Sequence, residues 1–229
     1  MSSFVVAMLV FDGLTHLDLA GPMDALARMP DAKVELVSQN GETVKSDLGF
    51  AVPATHSFAS ATAPDLIFVG GGSGVNALME HAETLAYLAG TADRAAWVTS
   101  VCTGALVLGA AGLLRGYRAT THWTAMEALV PFGARPVDQR VVIDRNRITG
   151  GGVTAGIEFG LEIVRLLHGS DAAQAAQLGM EYNPAPPFKS GSPRDAQPEI
   201  VSRIRKRTAA ITAERIEIAK RVASSHGWS

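Results

Sequence analysis

The chain has 229 residues, of which 47% are hydrophobic and 18% charged, with a formal net charge of -2 at pH 7. That length and apolar content suffice for one rather large domain with a sizeable core, and the near-neutral balance offers no bulk attraction to nucleic acid or anionic lipid. A single cysteine excludes an internal disulfide framework.

The opening MSSFVVAMLVFDG has no basic start, and its apolar run of about eight residues falls well short of the roughly twenty that a membrane span needs, so it reads as a buried strand. With one cysteine and no export signal, the expected setting is the reducing cytoplasm, with neither membrane nor nucleic acid as partner.

The continuous apolar runs Phe4 to Phe11, Lys33 to Val37, Asp65 to Val69 and Ala96 to Val101 read as strands buried on both faces. Between and after them, Asp18 to Met29, Val75 to Ala89, Gly104 to Leu114, Trp123 to Val130 and Ala155 to Leu167 carry apolar residues at three- and four-residue spacing and read as helices. This alternation predicts an α/β fold with a mainly parallel sheet and helices on both faces. The stretch Asn183 to Pro198, rich in proline, serine and glycine, reads as a surface arm. Glu199 to Ser225 reads as a surface helix whose isoleucine stripe packs on the body or on a second subunit, its arginines and lysines interleaved with glutamates on a solvated face.

Glycine runs at 70–72 and 150–152 each follow an expected strand, where an open α/β sheet gathers its ligand-binding loops. Cys102 stands at a third such edge, between the strand ending at Val101 and a helix of small residues. A sharp strand-to-helix turn of this kind is a nucleophile elbow: it exposes the side chain, and the helix N-terminus favours the thiolate. The competing reading is an inert core cysteine.

Asp18, in His16-Leu17-Asp18-Leu19-Ala20-Gly21-Pro22, is either a helix N-cap or a carboxyl group pressed against a thiol in a poorly solvated pocket, where a raised pKa makes it both acid and base near neutrality. Gly71 and Gly72 belong to a loop able to aim backbone N–H groups at a developing anion, without the lysine of a P-loop or the spacing of a dinucleotide fingerprint. The run 150–152 reads as a tight turn. His122, in Thr120-Thr121-His122-Trp123, is a candidate for orienting substrate or a hydrogen-bonded structural residue. The six histidines show no metal-ligand spacing, so no metal site is expected.

Taken together, Leu17-Asp18-Leu19-Ala20-Gly21-Pro22, the loop ending at Gly72, Ser100-Val101-Cys102-Thr103-Gly104-Ala105 with Ala110-Ala111-Gly112-Leu113-Leu114, and Ala119-Thr120-Thr121-His122-Trp123 resemble the ThiJ/PfpI superfamily. The resemblance covers roughly residues 4 to 183 and implies a flavodoxin-like three-layer sandwich with a nucleophile elbow, residues 1–183 forming the domain and 184–229 an arm and helix packing on it or on a dimer partner. Within the superfamily it is closest to the isocyanide (isonitrile) hydratases, on Asp18, on Thr103 directly after the cysteine where peptidase-like members have histidine, and on the arm Tyr182-Asn183-Pro184-Ala185-Pro186-Pro187-Phe188.

That likeness implies that Cys102 attacks the terminal carbon of an isocyanide, that Asp18 supplies the proton, and that water releases a formamide, with no cofactor. It assigns anion-stabilising N–H groups to Gly72 and Thr103, and implies a homodimer. Ligand-sensing domains of AraC-type regulators share these motifs, which leaves a sensor or stress-response module, or an amidase- or glyoxalase-type enzyme, as alternatives. Only 46 residues follow Asn183, too few for the DNA-binding half of such a regulator.

Overall fold

The structure, a computed structural model, describes residues 3–228. The chain begins with β1 (Phe4–Leu9), α1 (His16–Leu26), β2 (Ala32–Ser38), β3 (Val44–Lys45), β4 (Ala51–Val52), β5 (His56–Ser57) and β6 (Leu66–Val69). It continues through α2 (Val75–Leu78), α3 (Ala82–Ala92), β7 (Trp97–Val101), α4 (Gly104–Ala110), β8 (Arg118–Ala119), a 3-10 helix (Trp123–Leu129) and β9 (Arg135–Pro136). The last elements are β10 (Val141–Asp144), β11 (Arg147–Gly150), α5 (Ala155–Gly179) and α6 (Pro198–Ser225).

Seven strands form one sheet in the order β10-β11-β7-β6-β1-β2-β5. Pairing is parallel throughout except between β10 and β11, which form a hairpin. The central strands β1, β6 and β7 are almost wholly buried, which explains their unbroken apolar runs: neither face meets water. On one face α1 and α5 lie against each other, and on the other α3 and α4 cover the sheet while α6 packs over α4, α2 and the 3-10 helix. This is the flavodoxin-like sandwich. Its strand order reverses beside β1, and there the loops after β1 and β6 diverge to opposite faces and leave a crevice at the carboxyl edge.

Some elements differ from the sequence reading. The segment expected as one helix from Val75 to Ala89 is two, because the His81 side chain accepts a hydrogen bond from Thr84 N (3.3 Å) and so caps a fresh helix. The segment after His122 winds as a 3-10 helix rather than an α-helix. Helix α5 runs past Leu167 to Gly179, broken at Gly169 (φ 85°, ψ 172°), a conformation open to glycine and to few other residues. In α6 the buried stripe is Ile218, Ala219, Val222 and Ala223, but Arg215 is buried with it.

Candidate active site

The loops after β1, β6 and β7 converge at the carboxyl edge of the sheet. Cys102 follows β7 directly and has φ 51°, a left-handed conformation that costs an L-residue on the order of 1 kcal/mol and persists only where its surroundings over-determine it. Here they do. Cys102 N–H donates to the carbonyls of Gly150 (3.1 Å) and Gly151 (2.7 Å), and its own carbonyl accepts from Thr121 Oγ1 (2.7 Å). The glycine run at 150–152 therefore serves as a clamp beneath the turn. Gly104 lets the following helix start tight against the sheet: a Cβ there would lie 2.1 Å from the Val69 carbonyl oxygen.

Asp18 is fully buried in the first turn of α1. It is not the helix cap, a position held by Thr15, whose hydroxyl donates to Asp47 Oδ2 (2.7 Å). Instead Asp18 Oδ2 accepts from Gly71 N–H (2.8 Å), while Oδ1 is buried with no hydrogen-bond partner. Burial pushes its pKa up to about 7, against the opposing pull of the Gly71 amide and the neighbouring Cys102 thiol. The thiol in turn is pushed well above its ordinary value by burial and by the Asp18 charge, with the Thr103 amide and hydroxyl pulling partly back.

These two acids are coupled. The first proton leaves the pair near neutrality and the second only at strongly alkaline pH, so over a broad range above about 7 they hold one proton between them. That single-proton state is the one from which a thiolate and a neutral carboxylic acid can be generated together.

The glycine loop sets this geometry. A Cβ on Gly71 would lie 2.6 Å from both Thr103 N and Thr103 Oγ1 and 2.8 Å from Asp18 Oδ2, so the three groups meet over a bare backbone that no side chain could replace. The Gly72 N–H does not stand free for an anion as the motif suggested, but donates to Thr103 Oγ1 (3.1 Å). The Thr103 amide, by contrast, acts on the Cys102 thiol, pulling its pKa down. Asp18, Gly71, Gly72, Cys102 and Thr103 are thus brought together.

His122 is set to one side. Its Nδ1 pairs with Thr124 Oγ1 (2.8 Å) and accepts from Thr124 N (3.4 Å), capping the 3-10 helix, and burial followed by the charge of Arg215 lowers its pKa, which keeps it neutral. It lines a cavity of about 630 Å³ shared with Thr121, Gly151 and Gly152 and bordered by residues 191–195 of the arm. Among the described residues no three His, Cys, Asp or Glu side chains converge as a metal-binding group.

Two residues of the site escaped the sequence reading. Thr121 stands in the Ala119–Trp123 motif with no signal of its own, yet it fixes the Cys102 carbonyl. Arg215 looks in the sequence like one of many solvated charges on α6, but it is only 7% exposed and reaches the glycine loop, donating through Nη2 to the Gly72 carbonyl (3.2 Å) and through Nε to Asn76 Oδ1 (3.0 Å). A guanidinium buried without a carboxylate partner costs several kcal/mol, a signal that no helical periodicity carries.

A flavodoxin-like sheet with a strained cysteine elbow and a carboxyl partner from the β1 loop defines a class, and residues 5–166 match the DJ-1/PfpI family, to which the chain belongs. It is 48% identical over 219 residues, 96% of each chain, to the isonitrile hydratase of Pseudomonas putida. The crystal structure of a THiJ/PfpI family protein from Pseudomonas syringae superposes with a TM-score of 0.94 at 43% identity, covering 96% of this chain and 91% of that one. The HTH-type transcriptional regulator GbdR of Pseudomonas aeruginosa is 28% identical over 179 residues, 74% of this chain but 48% of the regulator.

Proposed function

We propose that this protein is a hydratase that converts an isocyanide to an N-substituted formamide through a covalent cysteine intermediate. The observation that carries the reading is the coupled pair of Asp18, buried with one carboxyl oxygen unpartnered, and Cys102, held at positive φ beside it. Near-full-length identity to an isonitrile hydratase supports the same substrate class.

In the first step the Cys102 sulfur attacks the terminal carbon as its S–C bond forms, and that carbon takes the proton held by Asp18, giving a thioimidate. In the second, water adds to the same carbon. Asp18 accepts the water proton and passes it to the nitrogen, then takes the remaining hydroxyl proton as the carbonyl forms and the C–S bond breaks. The cycle ends with the pair holding the single proton it began with, and the net reaction adds one water to one isocyanide. The Thr103 N–H supports negative charge on sulfur at the start and end of the cycle.

Intact-protein mass spectrometry and product analysis with a simple alkyl or aryl isocyanide test this. The native chain is expected to turn over many equivalents to the formamide, and Cys102→Ala none. Consumption that stops at one equivalent per cysteine would instead indicate a sensor, a reading the regulator relatives keep in view.

We infer further that the protein works in the cytoplasm as a homodimer. Exposed Leu17, Leu48 and Phe50 gather where the β3–β4 turn meets the start of α1, with the His16 ring stacked on Phe50 at 4.8 Å, an apolar face beside Asp18 suited to a second copy. Sedimentation is expected to show a dimer at micromolar concentration for the native chain and a monomer for Leu48→Glu/Phe50→Asp. A monomeric native chain would refute the pairing.

A further inference from the structure

Arg215 lies beyond residue 166, where the family match ends, on a helix outside the sheet. Its guanidinium is nonetheless buried against the site. Nη2 holds the carbonyl of Gly72, whose N–H aims the Thr103 hydroxyl, and the preceding amide of Gly71 holds Asp18. Nε is anchored by Asn76 Oδ1, and Asn76 is in turn fixed by its Nδ2 donating to Glu214 Oε2 (2.8 Å). A chain of contacts therefore runs from α6 through α2 and the glycine loop to Asp18 and to Thr103, the neighbour of Cys102.

We propose that Arg215 is a positioning residue of the active site, which locks the Gly71–Gly72 backbone that aims Asp18 and Thr103 and supplies the positive charge that favours the Cys102 thiolate. The charge argument rests on reciprocity. Burial pulls the Arg215 pKa down while Cys102, and then Glu214, pull it up, so the cation and a thiolate favour each other, while at the thiol itself burial and the Asp18 charge dominate. No carboxylate forms an ion pair with Arg215 among the described residues, so its charge is not already neutralised at close range.

The other charged or titratable groups facing the cluster are Asp18 from α1, Asp47 from the β3–β4 turn, His122 ahead of the 3-10 helix, and Glu214 on α6. Asp18 opposes the thiolate, Asp47 acts on Asp18 by raising its pKa, Glu214 acts on Arg215, and His122 is held neutral, which leaves Arg215 as the cation of the set. The proposal rests on the nucleophilic role of Cys102 but not on which substrate it attacks.

The test reads the thiolate without an isocyanide. Because the chain has one cysteine, alkylation by iodoacetamide reports Cys102 alone, and its rate is followed from roughly pH 6 up to strongly alkaline pH in the native protein, Arg215→Met, Arg215→Lys and Asn76→Ala. Arg215→Met is expected to slow alkylation at pH 8 by about tenfold and move its midpoint to higher pH, and to raise the His122 pKa read by NMR, a rise that Arg215→Lys should reverse because it keeps the charge. Arg215→Lys keeps the charge and is expected to restore the midpoint. Hydratase kcat in Arg215→Lys and Asn76→Ala should still fall about tenfold, because the two-point grip on the loop is lost.

Native-like midpoint and His122 pKa in folded Arg215→Met would overturn the electrostatic role. Should Arg215→Met fail to fold, kcat within twofold of native in both Arg215→Lys and Asn76→Ala would overturn the positioning role. If the native chain hydrates no isocyanide, the alkylation profiles and the His122 pKa still decide the role of Arg215.

Discussion

Two carboxylates in this molecule are both closed to solvent and behave in opposite ways, one lying deep beneath the loops and the other just under the surface, covered by the exposed Lys33 and Thr62. Asp18, at the carboxyl edge of the sheet, is wholly inaccessible, and Glu35, on β2, is 1% exposed. Burial pushes both pKa values up. At Glu35 it is outweighed by the Lys33 ammonium (2.7 Å), by the Thr62 hydroxyl (2.7 Å) and amide (3.0 Å), and by His56, so Glu35 sits below its ordinary value. Asp18 has one backbone donor and an acidic thiol for company, and it rises to about 7. Deep burial with the partners withheld raises a carboxyl pKa towards neutrality, whereas shallow burial with charged and hydrogen-bonding partners supplied lowers it.

The contrast is tested most severely by neutralising each carboxylate in turn. Asp18→Asn keeps an acceptor for the Gly71 amide but cannot exchange a proton, and is expected to lower hydratase kcat by roughly 10²- to 10⁴-fold, measured as formamide production. Glu35→Gln should leave kcat unchanged. A loss of turnover in Glu35→Gln, or its retention in Asp18→Asn, would break the distinction between the two sites.

The pH profile sharpens it. In the proposed mechanism the reacting form is the pair holding one proton, so kcat/KM for the native enzyme should fall about tenfold per pH unit below about 7 and stay level above it. A flat profile from pH 5 to pH 8 would show that Asp18 is ionised in the ordinary carboxylate range.

Stability should respond to pH with opposite sign at the two sites. The folded pKa of Asp18 is raised, so its contribution is most favourable below the ordinary value of 3.8 and is lost as pH rises through about 7. Asp18→Asn is therefore expected to be more stable than native at pH 8, by a few kcal/mol in urea unfolding, and to show little gain near pH 4. The folded pKa of Glu35 is depressed, so its contribution is present above the ordinary value of 4.5 and is lost as pH falls through the folded value. Glu35→Gln should cost about 2 kcal/mol at neutral pH, where four partners lose their charge-assisted acceptor. Equal destabilisation by both substitutions at pH 8 would mean that Asp18 is held as a satisfied structural ion.

Much of the architecture was legible before any coordinates. The apolar runs of β1, β6 and β7 announce strands buried on both faces, because a strand with a wet face would alternate, and their separation by amphipathic segments leaves a parallel sheet as the economical packing. The position of Cys102 between a β-branched strand and a helix of small residues likewise marks an elbow, since few other local structures join those two patterns. The division of the segment 75–89 was not legible, for it depends on a side chain of His81 turning back to cap a helix, which apolar spacing does not encode.

Local pattern thus determined the sheet, the elbow and the glycine loop, all of which follow from the backbone preferences and burial of neighbouring residues. Only the tertiary structure decided which way each loop amide points, that Asp18 is left with an unpartnered oxygen while Glu35 is fully satisfied, and that one arginine among the many charges of α6 is buried at the site. The reason is physical. Desolvation, pKa and the worth of a buried charge are set by what lies within a few ångströms in space, and at Arg215 those groups, Gly72, Asn76 and Cys102, come from parts of the chain more than a hundred residues away.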